Sequence, residues 1–546
     1  MADQHSNPSI NTLTSLLKKA APVIIIAAAL AARALPGLRT IDDAHITFRY
    51  ARNILAGRGF VYNPGEAIQG TTTPLYTLLL TLVGLTTGGS EAPFPTLAVI
   101  INSLADALTC WLLIKIGRRL EHPLAGLAAG LIWAVAPFSV TFAIGGMETS
   151  VFLLLLTSAV YFYLQGAYRA ASAVSAFSII TRPDGILLVG LLILDRARAY
   201  LGSQRKDKTS INFRQVLVEA GIFLIPLTLW FGFAWHHFGS PIPHSVTAKI
   251  EAYHLAPRSA LVRLLQHYAT PFLGHHTLGT SWIKVGLILY PFLFLIGSRR
   301  AVRAAPALWP WALYPWVYFL AFSAANPLIF RWYLTPPLLP YLFFILIGLE
   351  DLTRKLLETG FPFRVRHKGE VITILLILLL PLAFNLHGWE LTPDHGPSRP
   401  APKMAWHQLE LLYRDAAELV QEDLDQERAA AAQANAVLAA GDVGVLGYYT
   451  DLRILDTVGL NSPQPLKYYP LPEEYYVINY AVPPGLILDQ RPDYLVILEI
   501  YGRKSLFPNQ AFQKQYHLLA TIPTEIYSSR GLLIFKLTEQ FNTGSS

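Results

Sequence analysis

The sequence contains few charged residues. Asp, Glu, Lys and Arg make up only 14% of its 546 residues, whereas hydrophobic residues make up 53% and the mean hydropathy is +0.38. A soluble domain carries about 25% charged residues. The deficit therefore excludes an ordinary soluble protein and predicts an integral membrane protein.

Several other features are scarce or missing. The single cysteine, Cys110, excludes an internal disulfide and a cysteine-based zinc site. The histidines show no fixed metal-ligand spacing, and no G-x-G-x-x-G follows a predicted strand, so we expect no nucleotide cofactor. The formal charge of +7 is modest and is typical of basic cytoplasmic loops rather than of nucleic-acid binding. No cleavable signal peptide precedes the first apolar run, which indicates an uncleaved first helix.

Apolar runs long enough to cross a bilayer recur along the first 390 residues, since a spanning helix needs roughly 20 apolar residues. The candidate spans are 20–36, 93–114, 122–143, 149–165, 171–199, 215–238, 282–298, 306–325, 332–349 and 370–388. The run at 73–87 is shorter, and we interpret it as not crossing. We interpret 171–199 as two helices bent at "TRPDG", because Pro183 removes a helical hydrogen bond. These choices predict about 11 spans.

The distribution of basic residues predicts the orientation. With these spans, "KIGRR", "YRA", "DRARAYLGSQRKDK", "SRRAVR" and "TRKLLETGFPFRVRHK" lie in the cytoplasm, and about twenty basic residues face inward against about ten outward. We therefore predict a multi-pass plasma membrane protein whose N-terminal tail, residues 1–19, is cytoplasmic. Residues 20–389 form the membrane domain, with a first outer loop at 37–92. Residues 390–546 alternate helical and short apolar runs, which predicts an extracytoplasmic α/β domain.

Two acids follow the first predicted span, in "DDAHITFRYARNILAGRGFVYNPGE". Asp42 and Asp43 are either solvated acids at the membrane surface or a catalytic base, with Mg²⁺ or Mn²⁺ as a candidate metal ion. A carboxylate can accept the proton of an attacking hydroxyl, and carboxylates also bind hard cations. Glu148, in "GGMETS" at another outer tip, is either a helix N-terminal acid or a functional one, since acids near a bilayer are costly.

Three cations also lie at predicted outer edges. Arg182 in "TRPDG" either pairs with Asp184 or binds an anion at a broken helix. Lys249 lies in "PIPHSVTAK", and Arg331 lies in "NPLIFRWY", where an interfacial anchor is the other interpretation. Together the cations suggest a site for a lipid phosphate. Further candidate substrate-binding side chains are His45, Arg49, Tyr50, His244 and Tyr333.

The quoted motifs resemble, in matching order, those of GT-C glycosyltransferases, and they are most similar to the mycobacterial terminal β-arabinofuranosyltransferase group. The resemblance covers most of residues 20–350. It implies a helical GT-C membrane domain that uses a polyprenyl-phosphate sugar on the outer face. It also implies that Asp42 is the leading base, that Glu148 is the acid of the second outer loop, and that the three cations contact the donor phosphate. The segment "GTTTPLY" departs from the pattern and leaves the sugar and the acceptor open.

A phosphate leaves as an anion at neutral pH, so the chemistry needs a base and cations but no general acid. A single displacement would invert the anomeric carbon. The expected partners are the bilayer, the lipid-linked donor and a cell-envelope glycan, lipid or protein acceptor, and nucleic acid is not among them. Two other classes stay open at this stage. A lipid-linked sugar flippase would need polar residues across the bilayer, and a glycan-binding envelope protein would not need the acids.

Overall fold

The structure, a computed structural model, describes residues 8–204, 212–360, 373, 375–430 and 436–538. A bundle of apolar helices comes first in the chain, and a small α/β domain packs on one end of it. The helices of the bundle and its loops are α1 (Pro8–Ala34), α2 (Asp42–Leu55), α3 (Pro74–Thr87), α4 (Phe94–Arg119), α5 (Pro123–Val135), α6 (Pro137–Ile144), α7 (Thr149–Leu164), α8 (Tyr168–Thr181), α9 (Ile186–Gln204), α10 (Phe213–Phe238), α11 (His244–Ala252), α12 (Ser259–Ala269), α13 (His275–Leu278), α14 (Ser281–Ala304), α15 (Trp309–Ala325), α16 (Thr335–Gly360) and α17 (Leu380–His387).

Membrane-length helices are present in the described part of the chain. By length and composition, four helices can span a membrane, namely α4, α10, α14 and the stretch Arg331–Leu356. The pair α5 and α6, bent by 44°, makes a fifth if it is one span. Shorter apolar helices occupy Ala20–Ala34, Pro74–Thr87, Thr149–Leu164 and Leu375–His387. The predicted helical membrane architecture is confirmed, and the number of 11 spans stays a prediction.

Two local expectations can be compared with the helices. The predicted bend occurs where α8 ends at Thr181 and a 3₁₀ turn, Pro183–Gly185, leads into α9. Helix α3 has 14 residues, which corresponds to about 21 Å and is shorter than a bilayer core of about 30 Å. Parts of the basic loops, 205–211 and 361–372, fall outside the ranges that the structure describes. Most of the Gly202–Lys208 segment used to predict the orientation lies there, and the orientation stays a prediction.

A buried ion pair joins the helices at one end of the bundle. The Arg33 Nε donates to the Asp106 carboxylate at 2.9 Å, and both side chains are buried. Arg33 also donates to the Ala134 carbonyl at 2.6 Å and to the Ser139 hydroxyl at 2.5 Å. Ser150 donates to the same carboxylate at 2.8 Å. The network therefore fixes α1, α4, α5, α6 and α7 to one another, because an unpaired buried charge would be strongly unfavourable.

The C-terminal domain contains a mixed sheet. After a short antiparallel pair, β1 (Trp389–Glu390) with β2 (Ala401–Pro402), its elements are α18 (Gln408–Ala430), β3 (Val437–Ala440), α19 (Gly444–Thr450), β4 (Arg453–Asp456), α20 (Pro484–Gln490), β5 (Tyr494–Leu498), α21 (Glu499–Gly502), α22 (Gln510–Gln515), β6 (Tyr516–Ile522) and β7 (Leu532–Leu537). The sheet order is β4-β3-β5-β7-β6, in which β3 is parallel to both neighbours and β7 is antiparallel to both of its own. Among the short apolar runs that predict strands in this domain, "VGVLGYY" instead forms α19.

Helix α19 packs closely against α2 of the membrane domain, and its glycines permit this contact. A Cβ added at Gly444 would overlap the Asp42 carbonyl oxygen, and one at Gly447 would overlap the Tyr62 hydroxyl. The glycines of "GDVGVLG" therefore allow two helices to approach, since glycine has no side chain to hold the backbones apart. This contact places the α/β domain directly over the first outer loop.

Candidate active site

A cavity of about 700 Å³ lies between the helical bundle and the α/β domain. Its walls come from α2, the loop before α3, the α6–α7 tip, the bend after α8, α11 and the segment before α16. The α/β domain contributes Leu460. The size is within the range of ligand pockets in proteins, about 300–1,000 Å³. The motifs of the first outer loop, "GGMETS", "TRPDG", "PIPHSVTAK" and "RWY" thus converge on one space although they are far apart in the sequence.

Asp43 faces this cavity. In the described part of the chain, no hydrogen-bond donor of the protein contacts its carboxylate, so both oxygens remain open to a ligand in the cavity. Burial raises the pKa of Asp43, and the positive charge of Lys249 acts in the opposite direction. A carboxylate with a raised pKa is a stronger base than an exposed one, provided that it is ionised.

Asp42 points away from the cavity. Its Oδ2 accepts a hydrogen bond from the Gly444 amide at 2.9 Å, and its Oδ1 accepts one from the Val445 amide at 2.7 Å. Both amides belong to the first turn of α19, where backbone N–H groups have no helical acceptor. The sequence resemblance favoured Asp42 as the leading base, but this carboxylate is already bound to the protein, and the geometry favours Asp43 instead.

Lys249 reaches the cavity from α11. An adjacent face of this helix packs Ala248 and Ala252 into the core of the α/β domain, and this packing fixes the helix that carries the lysine. The Lys249 ammonium lies 4.9 Å from the centre of the Phe330 ring and 6.0 Å from that of Tyr333. Burial alone would lower its pKa, but Tyr333 and Asp43 together raise it. The lysine therefore carries a positive charge beside Asp43.

Arg182 is the second cation of the cavity. It forms two hydrogen bonds to the Asp184 carboxylate, at 2.9 and 3.0 Å, and one to Glu148 at 3.1 Å. The ring centre of Tyr333 lies 5.1 Å from its guanidinium carbon. A guanidinium has five N–H donors, so two remain for a ligand after these three contacts. Arg182 can thus pair with Asp184 and also bind an anion, since the pairing leaves two of its N–H groups free. Glu148 lines the cavity and orients Arg182.

Arg331 does not line this cavity. It belongs to a separate, smaller cavity, because the 3₁₀ turn Arg331–Leu334 directs Arg331 to one side and Tyr333 to the other. Arg331 is exposed, and its nearest hydrogen-bond acceptor is the Met404 carbonyl at 3.4 Å. The expected contact between Arg331 and the donor phosphate therefore has no support in the geometry.

Four other candidates do not line the cavity, and two of them, Arg49 and Tyr50, stabilise the structure around it. Arg49 donates to the carbonyls of Tyr62, Gly447 and Leu452, all within 2.8 Å, and so joins α2 to the α/β domain. The Tyr50 hydroxyl donates to the Ile68 carbonyl at 2.6 Å and accepts from the Gly70 amide. His45 is buried among aromatic rings, and burial lowers its pKa to about 3. The ring of His244 does not line the cavity either, and burial lowers its pKa.

Several lining residues were not singled out from the sequence. The departing segment "GTTTPLY" contributes Gly70, Thr71, Thr72 and Thr73, and α2 contributes Thr47. Threonine hydroxyls can exchange hydrogen bonds with sugar hydroxyls. The signal that could have identified them was the run of three threonines inside the segment predicted as the first outer loop, in a chain where polar runs are rare.

The described side chains do not form a metal centre. Across these ranges, no group of three or more His, Cys, Asp and Glu side chains is placed to bind one ion. The expected pair of Asp42 and Asp43 does not act as a chelate, because the Asp42 oxygens are bound to amides. The residues present do not fit the Mg²⁺ or Mn²⁺ ion that the sequence suggested.

Comparisons with known proteins agree with this architecture. A terminal β-(1→2)-arabinofuranosyltransferase of Mycobacterium tuberculosis is 28% identical over 228 residues, which are 38% of this chain and 34% of that protein. The chain thus matches about a third of the length of this relative. Residues 406–537 match a domain of unknown function (DUF8728).

Solved structures share the fold at low sequence identity. ArnT from Cupriavidus metallidurans, crystallised with undecaprenyl phosphate, has a TM-score of 0.53 and 13% identity over 98% of this chain and 100% of its own. The oligosaccharyltransferase of Archaeoglobus fulgidus, tethered to an acceptor peptide, has a TM-score of 0.53 and 10% identity over 96% of this chain and 74% of its own. With the helical bundle, the cavity and the C-terminal α/β domain in this arrangement, the chain has the GT-C fold, as its sequence motifs predicted.

Proposed function

We propose that the protein is an inverting glycosyltransferase that moves a sugar from a polyprenyl-phosphate donor to a hydroxyl of a cell-envelope acceptor. Asp43 acts as the general base, and Lys249 and Arg182 bind the donor phosphate. The acceptor is a glycan, a lipid or a protein of the envelope. The contrast between Asp42 and Asp43 carries this proposal, since one carboxylate is fully bound to backbone amides and its neighbour is open to the cavity.

The charges of the cavity support the division of roles. A base must receive a proton from the acceptor hydroxyl while the donor phosphate departs from the opposite side of the anomeric carbon. Asp43 and Lys249 both line the cavity, and their charges influence each other. The cations stabilise the negative charge that develops on the leaving phosphate. Asp184 and Glu148 fix Arg182 before the donor arrives, which lowers the cost of ordering it on binding.

The donor lipid fits the position of the cavity at the end of the bundle. Apolar residues of α11 and of the segment before α16, among them Val246, Ile250, Leu328 and Trp332, line part of the wall. A polyprenyl chain would contact this apolar part while its phosphate reaches the cations. The crystal structure of ArnT with undecaprenyl phosphate shows that a relative in fold binds such a lipid.

Arabinofuranose is the first sugar to test, because the mycobacterial relative is named a terminal β-(1→2)-arabinofuranosyltransferase. We place the reaction on the outer face of the plasma membrane, with the N-terminus in the cytoplasm, from the distribution of basic residues. The α/β domain lies over the cavity and is the part of the chain in position to bind the acceptor.

The test is transfer by the purified full-length protein. It should release polyprenyl phosphate from a polyprenyl-phosphate arabinose donor only when a glycan acceptor is present, and a nucleotide sugar should not replace the donor. An assay of the same protein in proteoliposomes distinguishes transfer of the sugar from transport of the donor. Movement of the donor across the bilayer without sugar transfer would show a flippase, and acceptor binding without either activity would show a binding protein.

A further inference from the structure

The second cavity, of about 410 Å³, is lined by an unusual set of basic side chains. Its lining includes Arg263, His267, His275, His276, Arg331 and Lys403. They come from α12, α13, the turn before α16 and the segment that follows the last apolar helix. Distant parts of the chain thus bring cations to one place at the same end of the bundle as the first cavity.

No acidic side chain lines this cavity in the part of the chain that the structure describes. Among the same residues, Arg263, Arg331 and Lys403 form no salt bridge. Burial lowers the pKa of Arg263, and the charge of Arg331 lowers it further. Burial likewise lowers the pKa of His276, and Lys403 adds to this effect. These basic groups lower one another's pKa, and no carboxylate lies between them. The cavity therefore has a positive potential, which a bound anion would reduce.

One histidine of the cavity is buried and hydrogen-bonded, and another contains an unpartnered polar atom. His267 is 4% exposed, and its Nε2 donates to the Leu334 carbonyl at 2.8 Å. The Nδ1 of His275 is buried and has no hydrogen-bond partner among the described residues. Buried polar atoms in proteins are normally hydrogen-bonded, so the His275 nitrogen indicates a missing partner.

Two exposed apolar side chains are close in the sequence to residues that line the cavity. Leu278 follows the two histidines of α13 and is 50% exposed, and Leu386, two residues before the lining residue Gly388, is 48% exposed. These leucines would contribute nothing to the binding of a free anion. An amphiphile would place its phosphate in the cavity and its acyl chains along them, burying apolar area at about 25 cal/mol per Å².

We propose that this cavity binds the phosphate group of an anionic membrane lipid. Basic pockets beside membrane helices bind anionic headgroups, and arginine binds phosphate through two parallel hydrogen bonds. The site is separate from the donor cavity but shares the turn Arg331–Leu334 with it, since Tyr333 lines the other cavity. An occupied lipid site would thus support the turn that holds Tyr333 beside Arg182 and Lys249.

The test measures lipid binding to the purified full-length protein in detergent by native mass spectrometry, without any assay of transfer. Phosphatidylglycerol serves as the anionic lipid, phosphatidylcholine as the zwitterionic lipid, and inorganic phosphate as the free anion. The variant carries Arg331→Gln and Lys403→Gln together. The matched control is Lys284→Gln, which removes an exposed cation of α14 that does not line the cavity.

We expect phosphatidylglycerol to bind at least ten-fold more tightly than phosphatidylcholine, and the double variant to lose most of this preference. The control should keep it. Equal binding of the two lipids, or an unchanged preference in the double variant, would overturn the proposal. Full competition by inorganic phosphate at the affinity of the lipid would show a simple phosphate site and would overturn the assignment to a lipid. If the double variant does not fold, Arg331→Gln and Arg331→Lys take its place, and only the lysine variant should keep the preference.

Discussion

The Asp42 carboxylate accepts a hydrogen bond from the Gly444 amide at 2.9 Å, although 402 residues separate them in the chain. This bond and the one from Val445 join the first outer loop of the membrane domain to the first turn of α19 in the α/β domain. The cavity lies where the two parts meet. Asp42, which the sequence resemblance favoured as the catalytic base, therefore helps to hold the α/β domain over the cavity.

Asp42→Asn should reduce stability. Asparagine has one oxygen acceptor in place of two, so one of the two buried amides loses its partner. A buried donor that is left without a partner costs about 1–3 kcal/mol. We expect a lower thermal midpoint in differential scanning fluorimetry of the purified protein. An unchanged midpoint would show that the contact contributes little.

Lys249→Met and Arg182→Gln should each weaken use of the donor. Each variant removes charge-assisted hydrogen bonds to the phosphate. This loss should lower kcat/KM for the donor by about ten- to a hundred-fold. Lys284→Gln is the matched control, because Lys284 is exposed on α14 and lines neither cavity. Steady-state kinetics at varied donor concentration check this. Equal losses in all three variants would contradict phosphate binding by Lys249 and Arg182.

Glu410 should make stability depend on pH. Its carboxyl accepts a bond from the Asp42 amide at 3.3 Å, and burial raises its pKa from 4.5 to about 8. Between pH 4.5 and 8 the unfolded chain has lost this proton while the folded protein keeps it, so stability falls as pH rises, by at most about 1.4 kcal/mol per pH unit. In Glu410→Gln, stability should fall less steeply as pH rises. Some dependence on pH should remain, since burial also raises the pKa of Asp442 to about 6. Thermal midpoints measured from pH 5 to 8 test this, and parallel curves for the two proteins would contradict it.

Topology can be tested with the one cysteine of the chain. Cys110 is buried, so an impermeant maleimide applied to intact cells should not label the unmodified protein. Ser203→Cys, at the end of α9, should stay unlabelled because we place it in the cytoplasm, and Asp394→Cys should be labelled because we place it outside. Labelling at 203 without permeabilisation would reverse the proposed orientation.

The sequence was informative where one residue type has one physical meaning. Low charge and long apolar runs predicted a helical membrane protein, and Pro183 marked the broken helix. Motif order led to the GT-C fold. The sequence also grouped Asp43, Glu148, Arg182, Lys249 and Tyr333, and all five line one cavity.

The sequence was less informative where the outcome depends on which way a side chain points. Asp42 and Asp43 are adjacent and chemically identical, and only the position of α19 shows that one is bound to amides. Arg331 and Tyr333 are two residues apart in a tight turn and face different cavities. The run "VGVLGYY" is apolar in either a helix or a strand, and packing of its glycines against α2 decided for the helix.

The most direct measurement compares Asp43→Asn with the unmodified protein in transfer from a polyprenyl-phosphate arabinose donor to a glycan acceptor. Asparagine keeps the size of the side chain but cannot accept the proton, and loss of a general base costs about 10²–10⁴-fold in rate. We predict a loss of this size in kcat with an unchanged thermal midpoint, because no protein group is bonded to the Asp43 carboxylate among the described residues. Transfer by Asp43→Asn at near-normal rate would contradict the account of this cavity as the site of a base-catalysed sugar transfer.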